Sequence, residues 1–132
     1  MSTHAAGTFE IESWDEQPYE EHDGTRLTRT RLTKTFSGDV EGESAAELLM
    51  AYGSEEGSAA YVGLERVTGS VHGRSGSFVL RHSAVMERGE GSSSLDVVPD
   101  SGTGELRGLR GEAKISVEPA GGHSFTLEYD FE

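Results

Sequence analysis

One histidine shares a face with large apolar side chains. Residues 76–86 alternate so that Phe78, Leu80, Ala84 and Met86 fall on one side of an extended chain, and His82 keeps their register. An imidazole facing a closed interior can take or give a proton near neutral pH, the work of a general acid or base; the plainer reading is a hydrogen-bonded core histidine. Glu65 and Arg66 are neighbours, so in a strand only one of them points inward. If Glu65 faces inward beside Tyr61 and Val67, burial raises its pKa and suits it to acid or base chemistry. In the competing reading, Arg66 is a solvated charge and Glu65 is bound in a cross-strand salt bridge. Glu43 and Glu47 lie four apart on one face and could pair as carboxylates, although a solvated face explains them equally. Trp14, Tyr52, Tyr61 and Tyr129 could pack the core or stack on an apolar ligand. Together with Phe78, Leu80, Glu47 and Arg66 they form the expected ligand contacts.

Other chemistries find little support. His4, His22, His72 and His123 sit at termini or turns, with no His-x-His or His-x-x-x-His spacing, so no metal is expected. Serines are clustered at 75–77 and 92–94, yet no Gly-x-Ser-x-Gly elbow occurs. No cofactor is expected.

The elements that would carry these residues read as strands. Residues 8–14 alternate and an acidic stretch over 15–24 ends them as a loop; residues 27–37 follow, rich in Thr and spaced with Arg29, Arg31 and Lys34 as a partly exposed surface. Residues 40–52 fit a strand, although 44–50 would equally fit a helical turn; Gly38, Gly42 and Gly53 break a long helix. Residues 59–71, 76–86, 93–97 and 113–118 complete the pattern, with a turn over 101–104. In the last strand Phe125, Leu127, Tyr129 and Phe131 face one way, and Thr126, Glu128, Asp130 and Glu132 the other. About eight short strands at hairpin spacing, with glycines at the bends, point to an all-β, eight-stranded antiparallel barrel over residues 1–132 as one domain.

Composition narrows the partners. Twenty-four acidic against 11 basic residues give a net charge of -13, which repels nucleic acid and anionic membranes. There is no cysteine for a disulfide or a thiolate. Neither a leader-like start nor a long apolar run is present, so a cytoplasmic location is the default expectation.

The stretches 38–42, 49–52, 63–69 and 73–82 together resemble a bacterial family known as domain of unknown function 3224, and the likeness covers nearly the whole chain. Residues 101–111, Ser-Gly-Thr-Gly-Glu-Leu-Arg-Gly-Leu-Arg-Gly, resemble the Gly-Thr-Gly turn of dirigent proteins. Those proteins and the allene oxide cyclases share an eight-stranded, calycin-like barrel, which is the fold this resemblance implies. The same glycines would allow a compact turn from which Arg110 reaches back to a carbonyl or an acid; a phosphate cradle would need the Lys-Ser/Thr that is missing here.

Two functions follow. The barrel could hold a small hydrophobic or oxygenated molecule and isomerise or cyclise it without a cofactor, assisted by His82 or Glu65. Alternatively it is filled with side chains and serves as a structural or oligomeric binding module, as a dimer or trimer. A void of several hundred Å³ beside His82 and a carboxylate would favour the first reading, and a packed interior of Phe78, Leu80, Phe125 and Leu127 the second.

Overall fold

A computed structural model describes residues 2–132. Eight antiparallel strands close in sequence order into one barrel: β1 (Thr3–His22), β2 (Thr25–Gly38), β3 (Val40–Tyr52), β4 (Ala59–Val71), β5 (Arg74–Glu87), β6 (Glu90–Val97), β7 (Leu109–Val117) and β8 (His123–Phe131). A single 3-10 turn, Gly104–Leu106, precedes β7. Among the described residues no helix is long and apolar enough to cross a membrane.

The acidic stretch at 15–24 is not a loop. β1 runs through it to His22, and the chain reverses at Asp23-Gly24, both with positive φ as a tight two-residue hairpin turn requires. What holds an acidic strand extended is its partner: Asp15 lies opposite Arg31 and Glu21 opposite Arg26. Such opposite-charge cross-strand pairs favour pairing in place of solvation as a loop. Pro18 is accommodated because this half of β1 is an edge, since β8 pairs β1 only over Thr3 to Phe9. Residues 40–52 are wholly strand, β3, as period-two burial of Val40, Ser44, Ala46 and Leu48 requires. β7 starts four residues earlier than its alternation suggests, so the end of the Gly-Thr-Gly segment is already strand.

Glycines set the tight places. Gly42 on β3 faces Gly69 on β4, and a Cβ on Gly69 would run into the Glu41 carbonyl oxygen. Here the two backbones approach too closely for any side chain. The 101–111 segment is likewise structural. Thr103 receives the Ser77 N–H on its hydroxyl at 3.0 Å and gives its own N–H to the Ser77 carbonyl at 2.8 Å. Leu106, fully buried, fills the barrel end beneath this loop. Arg110 reaches Asp130 at 2.5 Å.

The interior is packed at one end. Phe9, Phe36, Val67, Phe78, Leu80, Phe125, Leu127 and Leu109 form the main core, with aromatic contacts such as Phe36 to Phe125 at 5.2 Å. A smaller cluster of Leu32, Ala46 and Leu48, with Met50 and Tyr61 against it, occupies the other end. Leu80→Ala should lower stability by about 3 kcal/mol, the typical result of opening a cavity in a closed core. Leu64→Ala, on the exposed outer wall, should change it by less than about 0.5 kcal/mol. Urea unfolding of both variants against the unaltered chain measures the difference.

Candidate functional site

Between the two apolar clusters lies a belt of polar side chains, each placed by strand parity. Lys34 follows Leu32 and precedes Phe36 on the inner face of β2; Ser44 lies between Gly42 and Ala46 on β3; Glu65 lies between Gly63 and Val67 on β4; His82 follows Leu80 on β5. All four are buried. They converge on one carboxylate: Lys34 Nζ lies 3.2 Å and His82 Nε2 2.6 Å from Glu65 Oε1, and Ser44 Oγ donates to Oε2 at 2.5 Å. Lys34 Nζ also lies 4.4 Å from the centre of the Phe9 ring, so the cation rests against an aromatic face.

Burial works against a charge on Glu65. It is outweighed, because the His82 hydrogen bond, the Lys34 ammonium and the Ser44 hydroxyl together hold the pKa down at about 2. This corrects the expectation of a raised pKa. Glu65 does face inward with Tyr61 and Val67, but as an acceptor ionised at neutral pH whose two oxygens are both engaged. It is therefore no proton donor at neutral pH. Its effect falls on His82: an ionised carboxylate requires Nε2 to carry the hydrogen, so a neutral His82 ring has its lone pair on Nδ1.

His82 also meets open space. A cavity of about 770 Å³ runs from the outer faces of β7 and β8 into the barrel wall, lined inside by Tyr61, His82, Leu95 and Ala113 and at its rim by Ser93, Asp96, Glu112 and Glu128. It exists because β6 and β7 barely pair: only Asp96 and Glu112 are register partners. The Tyr61 and His82 rings are neighbours there, with centroids 6.4 Å apart. Burial, then the nearby Glu65 carboxylate, raises the Tyr61 pKa, so its hydroxyl stays protonated.

The other expected ligand contacts are scattered. Phe78 and Leu80 sit in the closed core and do not line the cavity. Tyr129 is buried at the opposite end, its hydroxyl 2.5 Å from His72 Nδ1. Glu47 is on the outer wall, paired with Arg29 and Arg31, and Arg66 is exposed on that same wall, as parity to an inward Glu65 demands. Glu43, also outward, forms no carboxylate pair with Glu47; each faces a different cross-strand neighbour, Thr35 and Arg31. Trp14 and Tyr52 stand at the open end around Glu16, which accepts hydrogen bonds from Tyr52 at 2.6 Å, Thr28 at 2.8 Å and Trp14 at 3.3 Å. Of the expected set, Tyr61 and His82 come together on this cavity, while Glu47 and Arg66 share a groove of the outer wall. Lys34 and Ser44 were not singled out by type, although the parity of Lys34 with Leu32 and Phe36 marks it as inward. Among the described residues no three His, Asp or Glu side chains are grouped as metal ligands would be.

The charge on Glu65 links stability to pH. With a folded pKa of about 2 against an ordinary 4.5, the carboxylate stabilises the fold above pH 4.5, and that contribution is lost as the pH falls toward 2. The stability advantage of the unaltered chain over Glu65→Gln should therefore shrink by about 3 kcal/mol between pH 5.5 and pH 2, read from urea unfolding at each pH.

No curated protein matches this chain. A solved structure does: a protein of unknown function from the DUF3224 family of Shewanella oneidensis MR-1, 39% identical, with a TM-score of 0.87, matched over 100% of this chain and 99% of that one. The family model described as a protein of unknown function, DUF3224, matches residues 5–129. With nearly its whole length matched and a like-folded relative at that identity, the chain belongs to the DUF3224 family.

Proposed function

We propose that the barrel binds a small, partly apolar, oxygen-bearing molecule in the cavity between β6 and β7. The observation that carries this reading is the cavity itself: about 770 Å³ in volume, it meets the buried ionic network at His82 and apolar wall at Leu95 and Ala113. Small-molecule sites are commonly concave spaces of roughly 300–1,000 Å³ with a few fixed polar groups; this one is more polar than most, with Asp96, Glu112, Lys114 and Glu128 along it. Here Glu65 fixes His82, and Tyr61 adds a hydroxyl. The net charge of -13 favours a neutral or cationic ligand over a polyanion. Neither the family model nor the solved relative bears on the resemblance to allene oxide cyclases, and a closed eight-stranded barrel carries no chemistry by itself.

A second reading, an oligomeric module acting through its outer wall, is favoured by one observation. Leu49, Val62, Leu64 and Val85 are half exposed or more on the adjacent strands β3, β4 and β5. Apolar side chains grouped on an outer wall are a common mark of association.

Two measurements separate the readings. A panel of small ketones, phenols and carboxylic acids, titrated against the 15N-labelled chain, should shift backbone resonances of β6 and β7, and Ser93→Trp, which fills the cavity at its rim, should abolish those shifts. No saturable shift with any compound would contradict the binding reading. Sedimentation of the unaltered chain and of Val62→Glu tests the other: a dimer or trimer that the charge dissociates supports it, and a monomer in both samples rejects it.

A further inference from the structure

One belt residue and one neighbour of the belt keep a polar group unspent, and both line the same cavity. Glu65 is saturated by three partners, and Lys34 is held between Glu65 and the Phe9 ring, so neither can serve a ligand. His82 keeps Nδ1, because its Nε2 is bound to Glu65. Tyr61, partly buried against the smaller apolar cluster, keeps its hydroxyl on the cavity side, with no hydrogen-bond partner among the described residues. Their placement follows from register: His82 pairs with Gly63, Tyr61 pairs with Ala84, and the two side chains are diagonal neighbours on the inner face of β4 and β5. With no side chain on Gly63 between them, the rings stand 6.4 Å apart along the cavity wall.

A fixed proton acceptor beside a fixed hydroxyl donor is the equipment for moving a proton next to a carbonyl group. We infer that the cavity shifts a proton on an enolisable carbonyl compound, with His82 as the base and Tyr61 as the donor to the carbonyl oxygen. This rests on the binding reading above and adds the substrate class and the roles. For a β,γ-unsaturated ketone the step balances without a cofactor. Nδ1 takes the proton from the carbon between the carbonyl and the alkene, and the C–H electron pair becomes a carbon–carbon double bond. The carbonyl π pair moves onto oxygen, which accepts the Tyr61 hydrogen bond. The proton then returns from Nδ1–H to the far alkene carbon, giving the conjugated isomer with no net change of atoms or electrons. Glu65 touches no substrate and acts as a positioning residue, holding the tautomer and supporting the imidazolium that forms in mid-reaction.

Cyclohex-3-enone is the probe, its conversion to the conjugated enone followed by ultraviolet absorbance, with binding of 4-nitrophenol as an enolate mimic measured in parallel by 15N spectra. The unaltered chain should exceed an equal concentration of free imidazole. Tyr61→Phe, which removes one oxygen, should lower kcat about 100-fold with little change in KM, and His82→Gln should lower it at least about 100-fold. Glu65→Gln should move the pH profile of kcat as well as its height, which a merely structural role would not do. If 4-nitrophenol binds at β6 and β7 yet conversion does not exceed that of imidazole, or if Tyr61→Phe converts as fast as the unaltered chain, the inference is overturned and the binding reading stands. If neither compound binds, the inference is overturned, and the binding reading falls with it when the wider panel also gives no saturable shift.

Discussion

A single ionised carboxylate in the middle of the barrel imposes the arrangement around it. A charge taken out of water must be met by partners, and Glu65 has three: the Lys34 ammonium, the Ser44 hydroxyl and His82 Nε2. Each comes from a different strand, so the requirement ties β2, β3, β4 and β5 to one register. A one-residue slip of any of them would turn its partner to the outer wall and leave the charge unmet. Such a network adds little net stability over a well-packed apolar belt, but losing one member leaves buried charge uncompensated, at a typical 3–5 kcal/mol. Its value lies in specifying one pairing and in fixing which nitrogen of His82 carries the hydrogen.

The belt also divides the barrel. Toward one end the interior is closed by Phe78, Leu80, Phe125 and Leu127, with Leu106 filling the space under the Gly-Thr-Gly turn. On the side of His82 the wall is open, because β6 and β7 hold together by one register pair while their outer neighbours pair along most of their length. Barrels of about eight strands sit at the size where the interior is either just filled or holds one small molecule. This one does the first on one side of the belt and leaves room for the second on the other. The packed core and the cavity, which would have argued for opposite readings, are both present.

The closed all-β architecture was legible because period-two alternation is a local signal, cleanest in Phe125, Leu127, Tyr129 and Phe131. The same signal placed His82 inward and required that only one of Glu65 and Arg66 share that face, without choosing between them. What it lacked was everything that depends on a partner far along the chain. The acidic residues of β1 read as a loop because their basic complements, Arg26 and Arg31, lie across a hairpin. Glu65 read either as an inward group with a raised pKa or as a cross-strand ion-pair partner, because burial is visible from parity and its three hydrogen-bond donors are not. Parity also cannot separate Phe78 and Leu80, inside the closed core, from His82 two residues on at the cavity. That distinction arises from where β6 and β7 part, which no pattern within either strand records. Lys34 was hidden by its type, since a lysine between threonines and arginines looks solvated until its register with Leu32 and Phe36 is counted.

The central claim is that ionised Glu65 dictates the state of His82, and side-chain nitrogen NMR of the 15N-labelled chain tests it most directly. At a pH where the His82 ring is neutral, its spectrum should show a protonated Nε2, with the hydrogen shifted downfield by the carboxylate, and an unprotonated Nδ1. A ring protonated at Nδ1, or one averaging freely between the two tautomers, would contradict the account.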